Sequence, residues 1–315
     1  MNTFRNIFGG LAVSLAIAGP VLAEYPKDNT LEVIVAYNPG GTSDTLFRAL
    51  LPYLEEELGT TVVVKNINGG GGAVGWTQLK NADPDGYTIG HYSSGMSVLE
   101  ATKAVNFTNA DFDPIAQFGR VYLTVTAQAS SEYGSLQDYA EAARAAPGEV
   151  SLAMGRGTLS QFVAVAVEKS IGVDLQLVNA GGGAEKKAAL LGGHVDAIVE
   201  PTPGVFAQAE AGEFNILAIL APERLPFAPN LPTAVEQGYD AVGVFISGLI
   251  APKGMDQAQI QTIADAVERA IQNPEYIEKS EALKQVTDFQ GPEAFGETMR
   301  DTAETANAIG AELGF

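Results

Sequence analysis

LEVIVAYNPGGTSD, residues 31–44, sets an apolar, β-branched run against a turn of proline and two glycines, and follows it with residues that start helices. Leu31–Ala36 reads as a buried strand, Asn38-Pro39-Gly40-Gly41 as a sharp turn, and Thr42-Ser43-Asp44 as the first turn of a helix. Leu46, Leu50, Tyr53, Leu54 and Leu58 carry that helix at close to helical spacing, with Pro52 as an expected kink. The same order returns in VSLAMGRGTLS, residues 150–160: Val150–Ala153 as strand, Gly155-Arg156-Gly157-Thr158 as turn, and a helix over Leu159–Ile171.

Working outward, each of these units opens a longer repeat. Thr61–Lys65 runs into Asn68–Gly72 and Tyr87–Gly90 into Ser93-Ser94-Gly95; in the second half, Leu175–Val178 runs into Asn179–Gly183 and Val195–Val199 into Glu200-Pro201-Thr202. Strands alternating with helices predict βαβ units on parallel sheets, hence two α/β lobes with three strands each. In open α/β sheets, ligands bind at the carboxyl ends of the strands, and here every such end is a loop of Gly, Ser, Thr or Asn. Tyr122–Ala127 and Val242–Ile250 are apolar segments placed to carry the chain across and back as hinge strands. The expected organisation is residues 24–122 with 249–315 as the first lobe and 123–248 as the second. Leu136–Ala145 and Ala184–Leu191 also read as helices, and the alanine-rich Gln257–Ile271 and Pro292–Leu313 as helices that return to the first lobe.

The N-terminus has the grammar of an export signal. Arg5 precedes an apolar run from Ile7 to Val21, and Val21-Leu22-Ala23 places small residues at −3 and −1, so cleavage is expected after Ala23 and the chain is expected in the periplasm. The run falls short of the ~20 residues of a spanning helix. Acids number 38 against 18 Lys and Arg, a net charge of −20 that repels nucleic acid and anionic lipid. There is no cysteine, so an exported chain must rely on its core and not on disulfides. Without cysteine, and with only His91 and His194, the usual ligands of zinc and copper are missing and no metal or other cofactor is expected.

The two strand–turn–helix units carry the chemistry. The first turn of a helix offers free backbone N–H groups and the positive end of the helix dipole, which suit a carboxylate. At either unit alone, a tight turn with Thr42 or Ser43 capping the helix would explain the residues as well. Their repetition places two donor-rich helix starts across one cleft, with Arg156 as the cation inside these loops. Tyr37 and Asn68 flank the first unit, and Glu200 ends the third strand of the second half. Gly70, Gly72 and Gly75 have dinucleotide-fingerprint spacing, but no acid ends a following strand for the ribose, and four successive glycines satisfy many patterns. Asp44 in a first helical turn is by default structural. An exported hydrolase or isomerase using Asp44, Glu200 or His91, which stands just before Ser93-Ser94, is the alternative function; loops so poor in paired acid and base groups disfavour it.

Taken together, several stretches resemble the Bug-type binding proteins of tripartite tricarboxylate transporters. They are Val33–Asp44, the glycine loop with Ala73 and Gly75, Asp85-Gly86-Tyr87, Gly181–Asp196, Leu231–Gly238 and Leu249–Gly254. The resemblance spans nearly the whole chain after the signal. It implies a type II periplasmic-binding-protein fold, hinged over a small organic carboxylate that a monomeric receptor hands to membrane permease subunits. It further implies that the ligand is held by amides, hydroxyls and waters from Asn38–Asp44 and Gly155–Ser160, with Ser93, Ser94, Asn179, Ala180 and Gly181 around it. Val178-Asn179-Ala180 replaces a polar residue with a Pro-Tyr pair common among relatives, and many relatives lack a cation at Arg156. The ligand of a familiar member therefore does not transfer, and a sensory role in place of transport leaves no mark in the sequence.

Overall fold

The computed structural model describes residues 25–26 and 29–315; the expected signal over 1–23 and its cleavage after Ala23 lie outside the described residues. In the first lobe, β1 (Leu31–Val35) leads into α1 (Thr42–Leu58), β2 (Val62–Asn66) into α2 (Ala73–Lys80), and β3 (Thr88–Ser93) into α3 (Gly95–Ala101). β1 pairs in parallel with both β2 and β3. Its continuous apolar run follows from burial on both faces: Leu31, Val33 and Val35 join the core under α1, and Ile34 joins the core under α2 and α3.

β4 (Phe112–Gln128) then serves both lobes. Beyond it lie α4 (Leu136–Ala145), β5 (Ser151–Met154), α5 (Leu159–Ile171), β6 (Gln176–Asn179), α6 (Gly183–Leu191), β7 (Ala197–Pro201), α7 (Phe206–Glu210) and β8 (Phe214–Ile219). The chain comes back along β9 (Val244–Pro252) and ends in α8 (Gln257–Ile271), α9 (Pro274–Ala282), β10 (Val286–Gln290) and α10 (Pro292–Glu312). The strands run β2-β1-β3-β9-β4-β7-β5-β6, with β8 and β10 also pairing to β4. The fold is α/β, two lobes on a shared long strand, with a separate apolar core in each. As expected, the tail helices return to the first lobe: Ile260, Ile263 and Val267 of α8 pack with Leu50 and Leu54 of α1, and Phe295 and Met299 of α10 pack with Tyr92 and Met96.

The outward crossing falls at Tyr122–Leu123, where Tyr122 still pairs with Val244 of β9 and Leu123 already pairs with Pro201 of β7. On the return, the pairing partners change at Gly243–Val244. Gly243 still bonds to Leu220 and Leu123 in the second lobe, whereas β9 pairs along its length with β4 and β3 of the first. The apolar run through Ile250 hides this switch. Gly243 marks it, since a Cβ there would sit 2.7 Å from Val163. Further differences are physical too. α1 runs unbroken through Pro52, and the tail contains α9 and β10, which the sequence reading passed over. The second lobe also has a fourth strand, β8, along β4.

Two residues with open placements find their positions here. Trp76 is wholly buried, its indole N–H donating to the His91 carbonyl at 3.1 Å. His91 lies away from the cleft, fully buried between Phe47 and Phe118 with neither ring nitrogen partnered. Strand alternation explains it, because His91 faces α1 while Tyr92 faces α10. Burial pushes its pKa down to about 3, so the ring is neutral, although the charge of Asp44 opposes the shift.

Candidate functional site

The first loop is built from beneath by Asp44. Gly40 takes a positive φ of 75°, which lets the chain turn so that its N–H donates to Asp44 Oδ2 at 2.8 Å. Asp44 Oδ1 accepts from Arg48 Nε at 2.8 Å and Asn66 Nδ2 at 2.9 Å. Burial alone would raise the pKa of this carboxyl, but the bonds from Arg48, Gly40 and Asn66 outweigh it and hold the group below the ordinary carboxylate range. Asn66 also donates to the Tyr37 carbonyl at 3.0 Å, and Asn68 donates to the side chain of Asn38. The Tyr37 phenol meets Ser93 Oγ at 3.1 Å and sits edge-on to Trp76; burial pushes its pKa up to about 12.

This scaffold leaves α1 open at its start. The N-cap is Gly41, extended at φ −73°, and no side chain caps the helix. Gly41 N–H bonds to the Asn38 carbonyl, but among the described residues the N–H groups of Thr42, Ser43 and Asp44 find no acceptor. Neither Thr42 nor Ser43 is the cap that the plain structural reading offered.

The second loop closes on itself by other means. Gly155 N–H donates to Ser160 Oγ at 2.9 Å, Thr158 Oγ1 donates to the Gly155 carbonyl at 2.7 Å, and Gly157 N–H donates to Gln161 Oε1 at 2.7 Å. Arg156 N–H donates to Asn179 Oδ1 at 3.1 Å, leaving the Arg156 side chain exposed. Thr158 is the N-cap of α5 yet makes no capping bond, and the N–H groups of Leu159 and Ser160 stay unpaired among the described residues.

Both helix starts open on one cavity of ≈ 390 Å³. Tyr37, Asn38, Gly41, Thr42 and Ser43 line it from the first lobe, and Gly157 and Thr158 from the second. The other residues singled out in the sequence stand behind this wall or beside it. Gly40, Asp44, Asn68 and Ser93 support the first loop, and Gly155 and Ser160 support the second. Ser94 ties the hinge, donating to the Val244 carbonyl and accepting from Ile246 N–H at 2.9 Å. Asn179 holds the Arg156 and Gly181 amides, and Ala180 bonds back to the Met154 carbonyl. Glu200 is committed elsewhere, in a buried ion pair with Lys186 at 2.6 Å. Leu159, within the Gly155–Ser160 loop, lines it too, and Gly71, Gly95, Val98, Leu99 and Phe245, which sequence reasoning did not single out, complete the lining. Apolar residues at helical spacing look like core, and only Gly95, directly after Ser94, carried any signal.

Asp44 and Glu200 are committed to ion pairs of their own and His91 is buried behind the strand, so the three form no acid–base set at the cavity. Among the described residues no group of three or more His, Cys, Asp or Glu could hold a metal ion, and no helix is long and apolar enough to cross a membrane.

Two α/β lobes on shared crossing strands, with uncapped helix starts from each lobe facing a cavity at their junction, define a solute-binding protein of the periplasmic-binding-protein fold. The sequence profile of the tripartite tricarboxylate transporter family receptor, TctC, matches residues 46–303, and the chain belongs to that family. It is 29% identical over 286 residues to the protein BugT of Bordetella pertussis, covering 88% of this chain and 87% of that one. Among solved structures it is similar to a TctC solute-binding protein from Polaromonas, with a TM-score of 0.80 at 25% identity over 90% of this chain and 98% of the other. It also shares its fold with a Rhodopseudomonas palustris protein solved with adipate, at a TM-score of 0.78 and 21% identity over 91% and 99% of the two chains. The family is one of transporter receptors, and the exported-enzyme alternative is set aside.

Proposed function

We propose that this receptor binds a small organic carboxylate reversibly in the cavity between its lobes and presents it, as a periplasmic monomer, to the membrane permease subunits of a tripartite transporter. One observation carries the reading: the cavity is lined by Thr42 and Ser43 at the start of α1 and by Leu159 at the start of α5, whose backbone N–H groups are unpaired among the described residues. Each helix start contributes roughly half a positive charge, so a carboxylate between them exchanges its hydration for oriented donors. This explains how a chain of net charge −20 attracts an anion: the attraction is local, and Arg48 offsets the one buried carboxylate beneath the first loop. The relative solved with adipate supports a carboxylate, and the export-signal pattern supports a periplasmic location.

The test is thermal shift on protein refolded free of any carried-over ligand, against a panel of carboxylates and their neutral amides. Carboxylates raise the melting temperature and amides do not. A flat response across the carboxylates defeats the proposal.

A further inference from the structure

The residues that line the cavity are of two kinds. Free N–H groups, the hydroxyls of Thr42, Ser43 and Thr158, and the side chains of Tyr37 and Asn38 face it, together with the apolar side chains of Val98 and Leu99 of α3, Leu159 of α5 and Phe245 of β9. Among the described residues, no charged side chain lines the cavity. Charged side chains stand outside the lining: Asp44 is held under the loop by Arg48, Glu200 is paired with Lys186, the Arg156 side chain is exposed, and Arg120, which lines a neighbouring cavity with Asp301, is paired with Asp288 at 2.7 Å.

We infer that the ligand is a monocarboxylate with a compact apolar body, and that Val98, Leu99, Leu159 and Phe245 are the residues that select it; this rests on the carboxylate reading above. The two helix starts together supply roughly one positive charge, which matches one carboxylate. A second would be buried in a cavity whose lining offers no cationic side chain to pair with it, a cost that biases against dicarboxylates. The apolar side chains instead reward each methylene they remove from water, by about fourfold in affinity. A second cavity of ≈ 380 Å³ lies beyond, between α5 and α10, and shares Val98 and Leu159 with the first. These two side chains form the partition that sets how long a body fits.

The experiment compares hexanoate with adipate, which has the same chain length and differs in its second carboxylate, by calorimetry on refolded protein. Acetate, butyrate, benzoate and hexanamide complete the set. Hexanoate is expected to bind at least about tenfold more tightly than adipate. Affinity is expected to climb about fourfold per methylene from acetate to butyrate. Leu159→Ala should lower hexanoate affinity by roughly tenfold while changing acetate little. Leu159→Arg, at a half-exposed position that tolerates a long side chain, should reverse the preference toward adipate. Adipate binding as tightly as hexanoate, with that affinity falling in Arg156→Gln, overturns the inference and leaves the carboxylate reading standing. Failure of every carboxylate, with folding intact by circular dichroism, sinks the carboxylate reading itself.

Discussion

Thr42→Pro removes a single hydrogen-bond donor from the helix start and almost nothing else. Thr42 is the first helical residue of α1, its N–H has no acceptor, and the preceding Gly41 is extended at φ −73° and ψ 170°, the conformation that a following proline demands. The ring fixes φ near the helical value, so the fold gains a little from a less flexible unfolded chain, on the order of 0.4–1 kcal/mol, and loses only the threonine side chain. A hydrogen bond to a carboxylate is worth about 1.5–3 kcal/mol, so losing it should weaken carboxylate binding roughly 10- to 150-fold. Thr42→Ala serves as the control for the side chain, since it keeps the N–H. Leu159→Pro repeats the design on α5, whose N-cap Thr158 is likewise extended at φ −120° and ψ 167°. Calorimetric titration of refolded protein with hexanoate reads the affinity, and urea unfolding reads the stability. Should Thr42→Pro hold the carboxylate within about twofold of Thr42→Ala, the helix start is not the anion's partner and the reasoning fails.

Three further outcomes follow from the structure. His91 is neutral in the fold with a pKa of about 3 against 6.5 when unfolded, so protons favour the unfolded chain as pH falls between those values. At pH 5 this costs about 2 kcal/mol relative to pH 7.5, and His91→Leu should remove that part of the pH dependence of urea unfolding; an unchanged slope would refute the assignment. Lys186→Met leaves Glu200 buried without its partner and should cost about 3–5 kcal/mol in urea unfolding, while adding Glu200→Gln should recover part of it. Gly75→Ala places a Cβ 2.6 Å from the Ile67 carbonyl and 2.8 Å from Ala36, rigid backbone that α2 cannot evade. A loss of about 1–3 kcal/mol is expected, and wild-type stability would show that α2 can move away.

Much of the fold was readable because each element is announced locally. Leu31–Ala36 and Val150–Ala153 are apolar runs ended by glycine turns, and β1 and β5 stand on them. Leu136–Ala145 coincides with α4, whose cap Ser135 accepts from the Asp138 N–H. α9 and β10 were not readable in this way. Tyr276 and Ser280 are the buried residues of α9, too few to give a period, and every residue of β10 is half-buried. At the site, the loops were legible from composition but the division of labour within them was not. The Gly40 and Gly155 amides and the Ser160 hydroxyl are spent on loop closure, whereas Thr42, Ser43 and Leu159 line the cavity with their amides free among the described residues.

By itself, the sequence determined the alternation of strand, glycine turn and helix, its duplication in two halves, and the presence of a donor-rich helix start in each. These follow from short-range rules: side-chain periodicity, backbone freedom at glycine, and the amides that any helix leaves unpaired in its first turn. Only the tertiary structure decided which of those amides remain free and what stands opposite them. That depends on residues distant in the chain, such as Asn66 beneath Asp44, Asn179 beside Arg156, and Phe245 and Val98 across from Leu159. The charge of a ligand can be inferred from local chemistry, whereas the shape and polarity of its far end are set by side chains that meet only when the two lobes pack against each other.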